Sequence, residues 1–155
     1  MTSWEQKIDF SNILCIQRIR GPKSQLSNPF SKEKTMQFML IHKETSADLA
    51  QRANPETAPA YWGAWNAYIG ALAQAGIIVH GNGLQEPHLG TQVRVRDGKR
   101  VIHDCPYADT KEHLGGYFII EVPSLDDALE WAARSPSAAS GSTEVRPVLV
   151  MSAPQ

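Results

Sequence analysis

The hydrophobic and polar positions divide this chain into two unlike parts. From residue 36 onward, short apolar runs alternate with segments in which apolar residues recur every three or four positions. Residues 1–34 hold one short apolar stretch among many Gly, Pro, Ser and Asn residues. This pattern predicts a poorly ordered or accessory N-terminal extension at 1–34 and one folded domain at 35–151. The extension either adds an edge strand or precedes the true start of translation at Met36.

Apolar runs predict four strands, at 36–41, 77–80, 117–122 and 144–150. Helical spacing predicts one helix over 59–75, between a first-turn proline and Gly76, and a second after the cap residue Ser124. Asp97-Gly98 predicts a hairpin between 92–96 and 100–103. The stretches before Pro59, from 104 to 116 and before residue 144 are expected to be loops.

The predicted elements run β-α-β, hairpin, β-α-β, which is the split β-α-β order of an α+β, ferredoxin-like fold. Two helices can cover only one face of the sheet. The last strands carry apolar residues on both faces, as Phe118 and Ile119 illustrate. The second face therefore needs a cover of its own, and a second copy of the chain is the simplest one. The pattern predicts a homodimer.

Composition excludes several classes of protein. The formal net charge of the 155-residue chain is −1, which argues against direct binding to nucleic acid. The two cysteines, Cys15 and Cys105, form no metal-binding or disulfide pattern and suit a reducing compartment. No apolar run approaches the roughly 20 residues of a membrane helix, and the start lacks signal-peptide features. We expect a cytoplasmic protein without membrane contact.

The segment 104–117 carries a specific resemblance. It reads Asp-Cys-Pro-Tyr, Ala-Asp-Thr-Lys-Glu and Leu-Gly-Gly-Tyr, and resembles the motif of the DGPF branch of the YCII-related family. The hairpin, the second helix and the last strand are similar to those of the family in the same order, so the resemblance spans about 36–150. It implies a dimeric α+β barrel whose clefts hold small molecules, without metal or cofactor. Cys105 departs from the motif glycine. Trp65 stands where some relatives have a histidine, so their proposed His–Asp pair does not transfer.

Four residues are candidates for acid–base catalysis: His103, Asp104, Asp109 and His80. A histidine titrates near neutrality, and a nearby carboxylate orients its ring. A structural role is the alternative, and it is favoured for Asp104, because an Asp-x-Pro turn binds its own backbone. A metal site at His80, Glu86 and His88 is disfavoured, since the spacing matches no tight ligand pattern. We predict neither a metal nor a cofactor.

Four further residues are candidates for substrate binding: Arg94, Arg146, Trp65 and Tyr68. An arginine in a dimer cleft suits an anionic or carbonyl-bearing ligand, unless it pairs with Glu121 across the sheet. The two aromatic residues suit a stacking wall or, more simply, the core. Two functions stay open: acid–base chemistry on a small organic molecule in a dimer cleft, and a non-catalytic accessory or ligand-sensing module of a regulatory protein such as an alternative sigma factor.

Overall fold

The computed structural model describes residues 34–104 and 110–149. The extension at 1–34 lies outside this part of the chain except for its last residue, and so does Asp109. The strands are β1 Met36–Thr45, β2 Ile78–Gly83, β3 Thr91–Arg96, β4 Lys99–Asp104, β5 Glu112–Val122 and β6 Ser142–Pro147. The helices are α1 Ser46–Ala53, α2 Ala58–Ala75, α3 Leu125–Ala133 and α4 Pro136–Ser140, with a 3₁₀ turn at Pro87–Leu89.

Four strands form one antiparallel sheet in the order β2-β5-β1-β6. The strand that opens the domain therefore lies in the middle, beside β5 and the C-terminal β6. This order, with α2 joining β1 to β2 and α3 preceding β6, confirms the α+β, ferredoxin-like fold.

The helices pack on one face of this sheet, and β1 shows how the sequence selects that face. Phe38 and Leu40 point inward and are buried, whereas the alternate residues Met39 and Ile41 are half-buried on the outer face. Period-two alternation of this kind is what a strand needs when one face joins the core. The core is completed by buried residues of α2, β5 and α3: Trp65, Tyr68, Leu72, Ile120, Val122, Ala128 and Ala132.

Local signals placed the helix ends and the hairpin correctly. The Ser124 hydroxyl accepts a hydrogen bond from the Asp127 N–H at 3.1 Å and caps α3. Gly76 ends α2 with a φ of 69°. At the hairpin, Asp97 and Gly98 have φ values of 50° and 71°, which is the backbone of the predicted two-residue turn. Among the described strands, β3 and β4 pair only with each other, as a separate two-stranded sheet.

Three predicted loops were wrong in part. The stretch before Pro59 contains α1, whose start is fixed by a reciprocal pair: the Thr45 side chain binds the Asp48 N–H, and the Asp48 side chain binds the Thr45 N–H. The stretch before the last strand contains α4, which begins at Pro136. Strand β5 begins at Glu112 rather than at 117, and it pairs with a β1 that continues to Thr45.

In the described part of the chain, no helix combines the length and the apolar character that crossing a membrane requires.

Candidate functional site

The inner face of β1 changes from apolar to polar along the strand. After Phe38 and Leu40, the next two inward positions are His42 and Glu44, which are only 2% and 4% exposed. Burial of such groups costs free energy unless each one finds hydrogen-bond partners. The partners come from α1, α2, α4 and β6, so this polar end of β1 is where four elements converge.

Glu44 is held between a cation and a phenol. Its Oε2 lies 2.9 Å from Nη1 of Arg52 in α1, and both side chains are less than a tenth exposed. The Tyr61 hydroxyl donates to Oε1. Burial first, and then Glu44, raise the pKa of Tyr61, so the phenol stays protonated at neutral pH. A Cβ added to Gly115 would lie 2.5 Å from Cδ of Glu44, so β5 needs glycine here to admit the carboxylate.

His42 belongs to a second network, made of hydroxyl groups. Its Nδ1 lies 3.0 Å from Oγ of Ser137 and 3.3 Å from Oγ1 of Thr143. The hydroxyl of Thr143 lies 2.8 Å from that of Ser137 and 2.7 Å from that of Ser135. Every hydroxyl proton has one acceptor when Ser135 donates to Thr143, Thr143 to Ser137, and Ser137 to His42. In this arrangement Nδ1 of His42 is the final acceptor.

Aromatic rings enclose the remaining surface of His42. Trp65, Tyr68 and Phe118 meet the imidazole edge-to-face at centroid distances of 5.1, 6.0 and 5.6 Å. Nε2 of His42 is buried and finds no hydrogen-bond partner among the described residues. Burial lowers the pKa of His42 from 6.5 to about 4, and the ring is therefore neutral at physiological pH.

A cavity of about 550 Å³ opens beside both networks. Small-molecule sites in proteins typically have volumes of about 300–1,000 Å³. Glu44, Tyr61, Trp65 and Ser137 all contribute to its wall. The rest of the lining comes from α1, the turn before α2, α2 itself and α4: Asp48, Gln51, Glu56, Thr57, Ala60, Ala64, Pro136 and Ser140.

Asp48 is the second buried acid of this cavity. Burial acts to raise its pKa, but hydrogen bonds from the side chain and backbone of Thr45 and from the Ser140 side chain outweigh burial and lower it. The carboxylate is therefore ionised at neutral pH. Both bonds from Thr45, at 2.7 and 2.8 Å, end on Oδ2. A carboxylate has about four acceptor positions, so Asp48 retains capacity for a further donor.

The hairpin carries three of the sequence candidates, away from this cavity. His103 and Asp104 lie exposed on β4, and Arg94 lies exposed on β3. Asp104 accepts a hydrogen bond from the Thr91 hydroxyl at 3.0 Å, which joins the two strands at the base of the hairpin. None of the three lines the cavity. Asp109, another of the catalytic candidates, falls in the segment that is not described.

His80 and Arg146 lie on the outer face of the main sheet. The Tyr117 hydroxyl lies 3.0 Å from Nδ1 of His80, and the two rings are stacked at 5.8 Å. Nε of Arg146 donates a hydrogen bond to Oε1 of Glu144 at 2.5 Å, so Arg146 pairs with Glu144 rather than with Glu121. This hydrogen bond is also the main reason that the pKa of Glu144 is lowered. The outer face thus has a small polar cluster of its own, separated from the cavity by the sheet.

Of the two aromatic candidates, Trp65 lines the cavity and Tyr68 lies behind it in the core, with its hydroxyl 3.0 Å from the Trp131 carbonyl. Sequence reasoning did not select His42, Glu44 or Ser137. Residues 42–45 are all polar, but His42 and Glu44 continue the period-two series of inward positions that begins with Phe38 and Leu40. Ending the predicted strand at Ile41 concealed it.

No group of three or more His, Cys, Asp and Glu side chains in the described segments is arranged to hold a metal ion. Two of the three residues considered for such a site contact each other, with Nδ1 of His88 3.1 Å from Oε2 of Glu86.

Comparison with known proteins agrees with the fold. The YCII-related domain matches residues 36–152. An uncharacterized protein of Rhizobium meliloti (strain 1021) is 43% identical over 53 residues, which are 33% of this chain and 43% of that relative. The chain thus covers less than half of that relative's length. The domain match includes every described residue from 36 onward and about three quarters of the sequence, and the chain belongs to the YCII-related family.

Proposed function

We propose that this protein binds a small organic molecule in the cavity at the polar end of β1 and transforms it by acid–base chemistry of its own side chains. One observation carries the proposal. Two hydrogen-bonded pairs meet the wall of the same cavity: buried Glu44 with half-buried Tyr61, and buried Ser137 with buried His42. Buried polar groups are costly, and two such networks at one opening are typical of a site rather than of a core.

The Glu44–Tyr61 pair supplies the proton-transfer group. Because the phenol donates to Glu44, a lone pair of the Tyr61 oxygen is available to a donor on the ligand. A ligand proton then passes to the Tyr61 oxygen as the phenolic proton passes to Glu44. Arg52 holds the carboxylate in place at 2.9 Å. General acid–base catalysis by a positioned group of this kind contributes about 10²–10⁴-fold to a rate.

Ser137 and His42 have a positioning role. The neutral imidazole accepts a hydrogen bond from the serine hydroxyl and fixes its direction, with the serine oxygen 3.0 Å from Nδ1. The same cavity suits a ligand-sensing protein without turnover, which is the second function that the sequence leaves open. Conversion of the bound ligand by the wild-type protein would support the enzyme, whereas binding without conversion would support the ligand-sensing module.

A matched pair of tyrosine variants tests the proposal. The protein is incubated with a cellular small-molecule extract, and consumed and retained compounds are identified by mass spectrometry. We expect Tyr61→Phe to retain the ligand and to lower turnover roughly 10²–10⁴-fold. Tyr117→Phe removes a hydroxyl from the outer face and is expected to leave turnover unchanged. Equal turnover by Tyr61→Phe and wild type would refute the acid–base role, and loss through Tyr117→Phe would move the site to the outer face.

We also propose that a second copy covers the outer face of the sheet. Its middle strands present Met39, Ile41 and Ile119, which are apolar and half-buried in the single chain. Half-exposed apolar residues on a sheet face without helices favour a partner. The cavity lies on the opposite, helical side of the sheet, so this pairing does not cover it.

A further inference from the structure

The cavity differs from an anion site in the charge of its wall. Three carboxylates line it, those of Glu44, Asp48 and Glu56. Its lining residues include no lysine, arginine or histidine. Arg52 neutralises Glu44 from behind, with Nη1 on that carboxylate and Nη2 on the Leu84 carbonyl at 3.3 Å. The two remaining carboxylates give the cavity a negative potential, which opposes an anionic ligand and favours a cationic one.

Aromatic rings complete the wall on the α2 side. Trp65 and Tyr61 lie one turn apart on that helix, and both line the cavity. The faces of such rings carry partial negative charge and attract ammonium groups, tryptophan most strongly. The same rings offer apolar surface to the carbon skeleton of a ligand. A carboxylate beside an aromatic wall is therefore complementary to an organic cation and poorly complementary to a free metal ion or a phosphate.

From the charge of the wall and its aromatic side, we infer that the ligand of this cavity is a small organic amine in its protonated form. Its carbon skeleton lies against Trp65 and Tyr61, and its ammonium group is directed to Asp48 and Glu56. The inference rests on the proposed function and adds the chemical class of the ligand. It replaces the anionic or carbonyl-bearing ligand expected from the exposed arginines, which line no part of the cavity.

Matched triples of probes test the charge preference. Each triple has one skeleton with three end groups: phenethylamine, 2-phenylethanol and 3-phenylpropionate for the aryl series, and the corresponding hexyl compounds for an alkyl series. Binding is measured by NMR titration of the ¹⁵N-labelled protein, following the amides of Ala60, Ala64 and Ser140 and the Trp65 indole. We expect the amine to bind at least about tenfold more tightly than the alcohol, which is about 1.4 kcal/mol, and the carboxylate to bind most weakly.

A pair of charge variants locates the preference. Glu56→Gln removes an exposed carboxylate of the cavity wall, whereas Glu130→Gln removes one on α3 that does not line it. The first is expected to lower the amine affinity severalfold and to leave the alcohol affinity unchanged, and the second to change neither. Equal or tighter binding of the carboxylate would overturn the amine inference and leave the cavity as a binding site. Absence of shifts at the cavity for all six probes would overturn both the inference and the proposed function.

Discussion

The burial of His42 predicts a specific dependence of stability on pH. Its pKa is about 4 in the folded protein and 6.5 for an unperturbed histidine. Between these values the unfolded chain binds more protons than the folded one, so folding stability rises with pH in this range. The contribution of His42 is complete above about pH 6.5 and is lost as the pH falls towards about 4. Its full size is about 3 kcal/mol, from about 1.4 kcal/mol per pKa unit.

The size of the effect decides the design of the assay. Between about pH 7.5 and about pH 5, the two pKa values predict a loss of about 2 kcal/mol from this one group. Urea unfolding measures such a difference directly. Staying above pH 5 keeps most carboxylates ionised, so their titration contributes little. Wild type and His42→Leu are compared at each pH, with His80→Gln as the control that removes an exposed histidine.

We expect the slope of unfolding free energy against pH to be smaller in His42→Leu by about 2 kcal/mol over this range, and to be unchanged in His80→Gln. The slope is the measured quantity, so a uniform loss from imperfect packing of leucine does not affect the conclusion. His42→Gln gives a second, polar replacement with the same expected slope. Identical slopes for wild type and both His42 variants would refute the buried, neutral imidazole.

Three further predictions concern packing, capping and assembly. Gly115→Ala places a Cβ against Glu44 and is expected to lower the free energy of unfolding in urea by about 1–3 kcal/mol. The control Gly63→Ala, within helix α2, places a Cβ that meets nothing within 4 Å and is expected to raise it by about 0.5–1 kcal/mol. The opposite order would contradict the position of Glu44. Ser124→Ala removes the cap of α3 and is expected to cost about 1 kcal/mol; an unchanged urea midpoint would show that the cap contributes nothing. Ile119→Asp places a charge on the outer sheet face and is expected to convert a dimer to a monomer in light scattering after gel filtration; a wild-type monomer would disprove the proposed pairing.

The fold was predictable from the sequence because its signals are local. Apolar runs identified the strands of the main sheet, Gly76 and Ser124 marked helix ends, and Asp97-Gly98 marked the hairpin. Together they determine the β-α-β order, from which the antiparallel sheet follows. The predictions failed for short elements, because α1 and α4 have only 8 and 5 residues, fewer than the roughly 11–18 positions over which helical periodicity is recognised.

The cavity was not predictable in the same way. Its wall combines β1, α1, α2 and α4, and two of these helices were expected to be loops. Trp65 was selected for its aromatic ring, but nothing in the spacing of the sequence connects it with Ser137, more than 70 positions later. The candidates His103, Asp104 and Asp109 were selected because a histidine near carboxylates in the sequence is a familiar acid–base pattern. Buried polar residues at the end of an apolar strand are the more informative signal.

The central claim is that ligands bind between the polar end of β1 and the helices α1, α2 and α4. The most direct test is a titration of the ¹⁵N-labelled protein with size-fractionated cellular small molecules, monitored residue by residue. We predict that amide shifts concentrate at Ala60, Ala64 and Ser140 and at the indole of Trp65. Shifts confined to the outer sheet face, around Tyr117 and its neighbours, would contradict the claim.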